Sequence, residues 1–132
     1  MALTLSEAIA YVDKGIDKAK EMGIGVSLAL IDEFGQLVQL DRMEGASLMT
    51  PDVAEAKAVT ALNFKRPTSR LAQEFQDHPN RLSSIQQAVH FNVLPLGGGI
   101  PIFKDGELVG AIGVSGATAE QDEEVANHAV SL

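Results

Sequence analysis

The sequence predicts an α+β fold, in which helices pack on one antiparallel sheet, and three observations support this class. Strand-like segments occur as two pairs joined by short turns, and the strands of such hairpins pair antiparallel. Helical segments lie before, between and after the hairpins, in the order α-β-β-α-(α)-(α)-β-β-α. The length of 132 residues suits one domain, and neither repeats nor linkers divide the chain, so residues 1–132 are assigned to a single domain.

The first helix is predicted to begin at a capping box and to end at a glycine. Thr4 and Glu7 have the spacing at which a hydroxyl and a carboxylate satisfy the first free amides of a helix reciprocally. Apolar residues then recur at steps of four and three and form one face: Leu5, Ile9, Val12, Ile16 and Ala19. Gly23 supplies the left-handed residue at which a helix commonly ends.

The first hairpin follows directly. Residues 24–31, IGVSLALI, are apolar on both faces, which is typical of a central strand covered on both sides. A short turn over residues 32–35 ends in a glycine, and residues 36–41 are predicted to form the partner strand.

The second helix is predicted to begin at Thr50, with this hydroxyl as its cap and Pro51 at the first helical position. Its alanines indicate close packing on the sheet. The helix is expected to end near Arg66, because Pro67 disfavours helical backbone in the residue before it.

Two short helices and a second hairpin complete the chain. Thr68 and Ser69 are predicted to cap a helix over residues 71–76, and residues 81–90 are predicted to form another helical turn or two. The glycine triplet Gly97–Gly99 leads into the second hairpin. Its strands are placed at 100–103 and 107–114, with the tight turn at Asp105 and Gly106, and a second capping box, Thr118 with Gln121, opens the last helix.

Composition excludes several classes of partner and chemistry. The net charge is −8, so nucleic acid and anionic membranes are disfavoured as partners. No apolar run reaches the ~20 residues of a membrane span. The absence of cysteine excludes disulfides, thiolate metal sites and a cysteine nucleophile. The amphipathic N-terminus lacks the basic and apolar regions of a signal peptide, so a cytoplasmic location is expected.

The histidines give no metal motif. His78, His90 and His128 lie in three different elements at spacings that fit no local metal site, so no metal is predicted. A structural role is the simplest interpretation of each. His90 is the best candidate for a ligand or base, because it precedes the glycine-rich segment.

The glycine triplet Gly97–Gly99 fits no phosphate-loop motif. It lacks the Gly-Lys-Ser/Thr of a P-loop, and it enters a strand rather than opening a helix as a dinucleotide fingerprint does. Glycines here permit positive φ and close approach of the backbone to another group. Two interpretations stay open: a bulge or tight crossing of chain segments, or a cradle of amides for a ligand.

Three polar side chains have both a structural and a functional interpretation. Arg42 is either a surface residue or a bidentate grip on a carboxylate. Lys57 shares a helical stripe with apolar residues, so it either pairs with a carboxylate or anionic ligand or extends its charged end to water. Thr68 is most simply a cap, although the helix end it opens could also present free amides to an anion.

Three long segments resemble the GlcG/HbpS family. They are VSLALIDEFGQLVQLDRMEGA, DVAEAKAVTALNFKRPTSRLA and GGGIPIFKDGELVGAIGVSGATAEQDEEVA, and they cover most of the chain in the family's order. Members of this family are small proteins encoded beside glycolate, diol and aromatic-degradation genes. They include a secreted haem-binding protein and the C-terminal domain of PduO-type cobalamin adenosyltransferases.

The resemblance implies a five-stranded antiparallel sheet flanked by helices, a homo-oligomer assembled from dimers, and haem binding in some members. It further implies that Thr68 aligns with an axial haem ligand, which would be a weak one beside His or Cys. The chain departs from the family at Glu44, where an Asp is usual. It also shows no leader peptide, so the extracellular role of the secreted member is not expected here.

Three functions follow as hypotheses, and the sequence does not decide whether the protein is an enzyme. The first is a small-molecule or haem-binding accessory protein of a catabolic gene cluster. The second is an enzyme acting on a small carboxylated metabolite. In it Arg42 or Lys57 holds the anion, the amides of Gly97–Gly99 stabilise developing charge, and His90 or Glu44 moves a proton. The third is a structural oligomer whose glycines only pack subunits.

Overall fold

The structure, a computed structural model, describes residues 2–131 and confirms the α+β class. The helices are α1 (Leu5–Met22), α2 (Thr50–Phe64), α3 (Thr68–Asp77), α4 (Pro79–Ala88) and α5 (Ala119–Val130), and the strands are β1 (Ser27–Asp32), β2 (Leu37–Arg42), β3 (Gly99–Lys104) and β4 (Glu107–Ser115). The element order is the predicted one. Within these residues no helix is long and apolar enough to cross a membrane.

One antiparallel sheet, in the order β2-β1-β4-β3, forms the middle layer. Strand β1 is central, as its two apolar faces predict, and Leu28 pairs with Val114 of β4. The expectation of five strands is wrong for the described residues, in which the sheet has four strands. The segment 89–98 is not a fifth strand because side chains satisfy much of its backbone: Gln86 and Thr60 accept from the amides of Val93 and Leu94.

Helices cover both faces of the sheet. Side chains of α1 and α5 pack on the face that carries Leu28 and Leu30, where the largest core cluster lies. Helix α2 covers the other face, and its alanines bring it into backbone contact with β4. A Cβ at Gly113 would lie 1.8 Å from the carbonyl oxygen of Ala54, so only glycine fits there. A smaller core around Leu71 and Phe75 joins α3 and α4 to the rest.

Both predicted capping boxes are confirmed. Thr4 with Glu7 caps α1, and Thr118 with Gln121 caps α5. Gly23 ends α1 in the left-handed region at φ 72°. The ammonium of Lys104 contacts Glu7, and this contact together with the Thr4 amide lowers the pKa of Glu7 to about 2.

Two other predicted caps are wrong, because each threonine hydroxyl has a tertiary partner. Thr50 lies within α2, and its hydroxyl contacts Ser27 Oγ at 2.8 Å. Thr68 begins α3, yet it makes no capping bond. Helix α3 is longer than the predicted 71–76, and α4 lies two residues before the predicted 81–90; the two are almost continuous, since Pro79 restarts the helix immediately after His78. Helix α2 ends at Phe64, close to the predicted end.

Candidate functional site

A buried ion pair joins the two helical layers beside the end of β4. Lys57 of α2 places its Nζ 3.1 Å from Oδ2 of Asp122 on α5. The same ammonium donates to the carbonyl oxygen of Val114 at 2.9 Å. The two side chains are 4% and 3% exposed. The alternative in which Lys57 reaches water is therefore wrong, and its partner is a carboxylate of the protein.

Asp122 is held by its own helix end. Its Oδ1 accepts the amide of Ala117 at 3.0 Å, and the first turn of α5 favours negative charge. Asp122 was not among the site residues that the sequence suggested. A stronger signal was available, because Asp122 precedes Val125, Ala126 and Ala129 at helical spacing and so shares their buried face.

The glycine triplet makes room for this ion pair. Gly98 has φ 128°, and a Cβ there would lie 2.5 Å from the Val114 carbonyl oxygen and 2.9 Å from Lys57 Nζ. A Cβ at Gly99 would lie 2.4 Å from the carbonyl oxygen of Lys57. A Cβ at Gly97 would lie 3.1 Å from the carbonyl oxygen of Ala119. Of the two open interpretations, the geometry matches the tight crossing of chain segments.

Thr68 secures the same crossing from the side of α3. Its hydroxyl accepts the amide of Gly99 at 2.9 Å and donates to the carbonyl oxygen of Leu96, and the residue is fully buried. The hydroxyl is thus occupied by the segment that carries the triplet. Ligation of iron by Thr68 would require this buried side chain to be uncovered.

A pocket of about 290 Å³ opens above the ion pair. Its polar lining is Lys57, Asp122 and Ser115, and its apolar lining is Met49, Val53, Leu94, Leu96, Ala117 and Ala119. Ser115, the last residue of β4, is 7% exposed. Nothing in the sequence alone singled out Ser115, since its place at the pocket depends on the crossing of α2 and α5.

The other predicted site residues lie outside this pocket. Arg42 is exposed and donates to the carbonyl oxygen of Ala46 at 3.0 Å, which closes its own loop. Glu44 is exposed in that loop, and His90 is exposed in the turn after α4. The structure therefore brings together Lys57 and the triplet, with Thr68 behind them, and leaves Arg42, Glu44 and His90 elsewhere.

The chain matches a known protein family. The family model described as "Haem degrading protein HbpS-like" matches residues 3–131. The chain belongs to the HbpS-like family. This confirms the resemblance of the three sequence segments to GlcG and HbpS.

Three curated relatives are similar over most of the chain. A 15.0 kDa protein from the dhaT-dhaS intergenic region of Citrobacter freundii is 30% identical over 97% of this chain and 89% of its own length. Protein GlcG of Escherichia coli is 31% identical over 86% of this chain and 81% of its own. Corrinoid adenosyltransferase PduO of Salmonella typhimurium is 28% identical, and this chain matches only 39% of its length.

A solved structure shows the same architecture. The PduOC:haem complex has a TM-score of 0.89 and 28% identity, covering 98% of this chain and 94% of its own. The haem in that complex raises the question of whether the residues of the present pocket could hold a haem.

The residues of the pocket do not by themselves form a haem site. His, Cys, Met and Tyr are the usual axial ligands of haem iron. Met49 is the one such residue in its lining, and the ammonium of Lys57, which could meet a propionate, is already paired with Asp122. All three histidines are exposed and lie outside the lining.

Proposed function

We propose that this chain is a small-molecule-binding accessory protein of a catabolic gene cluster. The observation that carries the proposal is the pocket over the Lys57–Asp122 pair, in which an apolar wall meets a polar floor. Ligand sites in proteins typically combine these two features. The HbpS-like relatives support the cluster association, since one is encoded between dhaT and dhaS and another is part of PduO.

Haem is a second candidate ligand, favoured by the family description and by the haem complex of PduOC. Because the pocket supplies a poor set of iron ligands, a haem would occupy another surface or lie between chains. We expect titration of haemin to give a saturable Soret shift at one haem per chain or per pair of chains. A shift no larger than that of an unrelated acidic protein would remove haem as a ligand.

A matched pair of variants tests the predicted role of Thr68 in the same titration. Thr68→Ser keeps the hydroxyl, and Thr68→Val removes it at nearly constant size. Since the hydroxyl is buried and bonded to backbone, we expect the two folded variants to give the same Soret spectrum. Loss of the shift in Thr68→Val alone, with an unchanged far-UV circular dichroism spectrum, would establish Thr68 as the iron ligand.

The geometry of the pocket does not support the hypothesis of an enzyme acting on a small carboxylated metabolite. In it Arg42 or Lys57 holds the anion and His90 or Glu44 moves a proton, and Arg42, Glu44 and His90 lie outside the pocket. Of the triplet's amides, that of Gly99 already donates to the Thr68 hydroxyl at 2.9 Å, and Gly98 and Gly99 pack tightly against Lys57 and Thr68.

Self-association into a homo-oligomer is part of the proposal. Leu48, Met49 and Leu96 are 90%, 68% and 49% exposed, and the last two border the pocket. Such grouped apolar exposure is typical of interaction surfaces.

We expect sedimentation equilibrium to give a multiple of the 14.0 kDa chain mass. Leu48→Asp should lower that mass. Phe34→Asp, which changes another highly exposed residue on the β1–β2 turn, should leave it unchanged. A monomeric wild-type protein would contradict the proposal.

A further inference from the structure

The hydroxyl of Ser115 is a polar group that the fold leaves without a partner. Ser115 is 7% exposed and lines the pocket, and its side-chain hydroxyl makes no hydrogen bond to any of residues 2–131. Its ladder neighbour offers a direct contrast. Ser27 pairs with Ser115 across β1 and β4, and the hydroxyl of Ser27 is satisfied by Thr50 at 2.8 Å. The Ser115 oxygen is reached from the pocket, so the partner that the fold does not supply is a ligand or solvent molecule in that pocket.

Lys57 adds a donor to the same floor. An ammonium carries three N–H groups. Two of them have acceptors in the protein, the Val114 carbonyl oxygen and Asp122 Oδ2. One N–H therefore remains for a further acceptor, and Lys57 lines the same pocket as Ser115. Two donors in the lining of one small pocket suit a ligand that carries an acceptor oxygen.

Charge decides which kind of oxygen fits. Asp122 already neutralises Lys57 in a site where both side chains are almost fully buried. A carboxylate brought into this pocket would be a third charge without a counterion, and desolvation of an unpaired charge is costly. A neutral oxygen avoids that cost and can still accept from both donors.

The volume and the lining of the pocket indicate the size and polarity of the remainder of the ligand. An apolar cavity of about 150 Å³ holds one benzene ring, so the pocket of about 290 Å³ has room for a single ring or a short branched chain with one substituent. Val53, Leu94, Leu96 and Met49 provide an apolar wall for that body. A macrocycle would not be enclosed.

We infer that this pocket binds a compact neutral molecule with a carbonyl or hydroxyl oxygen on an apolar body, and that Ser115 is its recognition residue. This inference rests on the proposed small-molecule function and narrows it to a ligand class. A carboxylated metabolite, which the enzyme hypothesis expected, falls outside this class and does not suit the site.

Three probes of similar size test the inference: acetophenone, benzoate and toluene. Each is titrated to millimolar concentration into the ¹⁵N-labelled wild-type protein, and amide shifts of Ser115, Ala117 and Leu96 are followed. We expect acetophenone to give saturable shifts there at lower concentration than toluene or benzoate. Benzoate binding as tightly as acetophenone would overturn the neutral-oxygen assignment, and no shift at these amides with any probe would overturn the site.

Matched serine variants test the recognition residue. Ser115→Ala should weaken acetophenone binding about 3- to 10-fold, the range of one neutral hydrogen bond, and should leave toluene binding unchanged. Ser84→Ala, at an exposed position of α4, should change neither. Equal acetophenone affinity in Ser115→Ala and wild type would overturn the role of Ser115.

Haemin titration of the same samples separates the two proposals. Haemin binding without any acetophenone binding would overturn the ligand class and the pocket while supporting a haem-binding function. Acetophenone binding without haemin binding would support the inference and remove haem. Failure of every probe and of haemin would overturn both proposals.

Discussion

Replacing Lys57 with methionine should cost about 3–5 kcal/mol of the free energy of unfolding. The change removes one partner of a buried pair and leaves the carboxylate of Asp122 without a counterion, which is the expensive outcome for such sites. The loss is a large fraction of the ~5–15 kcal/mol by which domains of this kind are stable. Urea denaturation at neutral pH, followed by circular dichroism, measures it.

A compensating variant and a surface control make this prediction specific. Lys57→Met combined with Asp122→Asn removes both charges and keeps an oxygen that can accept the Ala117 amide, so most of the lost stability should return. Lys18→Met removes a partly exposed lysine that contacts Glu21 and Glu124, and it should cost less than about 1 kcal/mol. A free energy of unfolding of Lys57→Met within about 1 kcal/mol of the wild-type value would contradict the buried ion pair.

Replacing Gly98 with alanine should have the second large effect and cost roughly 2–6 kcal/mol of the free energy of unfolding. The new Cβ would lie 2.5 Å from the Val114 carbonyl oxygen and 2.9 Å from Lys57 Nζ, and φ is 128°. Both overpacking and backbone strain contribute at this position, each at about 1–3 kcal/mol. The lysine end could move, but the carbonyl oxygen belongs to the sheet and could not move without disturbing β4.

Gly106 separates these two contributions. It also has positive φ, 81°, but a Cβ there would meet no atom within 4 Å. Gly106→Ala should therefore show the strain alone, at about 1–2 kcal/mol. If urea midpoints of Gly98→Ala and Gly106→Ala proved equal, the close approach of the triplet to the ion pair would have no energetic importance.

Local signals predicted the elements of this fold well. Thr4 and Glu7, Gly23, and Thr118 with Gln121 act on amides within a few residues, so their pattern is complete in the sequence. Thr50 and Thr68 have the same local appearance, yet their hydroxyls bond Ser27 and the backbone of Leu96 and Gly99. A tertiary partner displaced the local one, and spacing cannot reveal that competition.

The candidate site was predicted only in part. Helical spacing placed Lys57 partly inward, and the glycine triplet signalled a close approach. Asp122 could have been found as the acid on the apolar face of α5. Ser115 could not, because its exposure to the pocket arises where residues from α2, β4 and α5 meet. Their positions in the chain, 57, 115 and 122, are brought together by the sheet and not by any local pattern.

The functional residues that sequence alone suggested were chosen for their chemistry, and geometry regrouped them. Arg42 and His90 carry strong hydrogen-bonding groups, but Arg42 serves its own loop and His90 lies exposed after α4. The neutralised Lys57–Asp122 pair also changes the ligand that the site favours. An anionic metabolite matches a free lysine, whereas a neutral oxygen compound matches a paired one.

A crystal structure of the wild-type protein soaked with acetophenone tests the central claim most directly. The account predicts density for one ring in the pocket above the Lys57–Asp122 pair, with the ketone oxygen within hydrogen-bonding distance of Ser115 Oγ. A pocket without ligand density at saturating acetophenone, or density for the ring only at another surface, would contradict this claim.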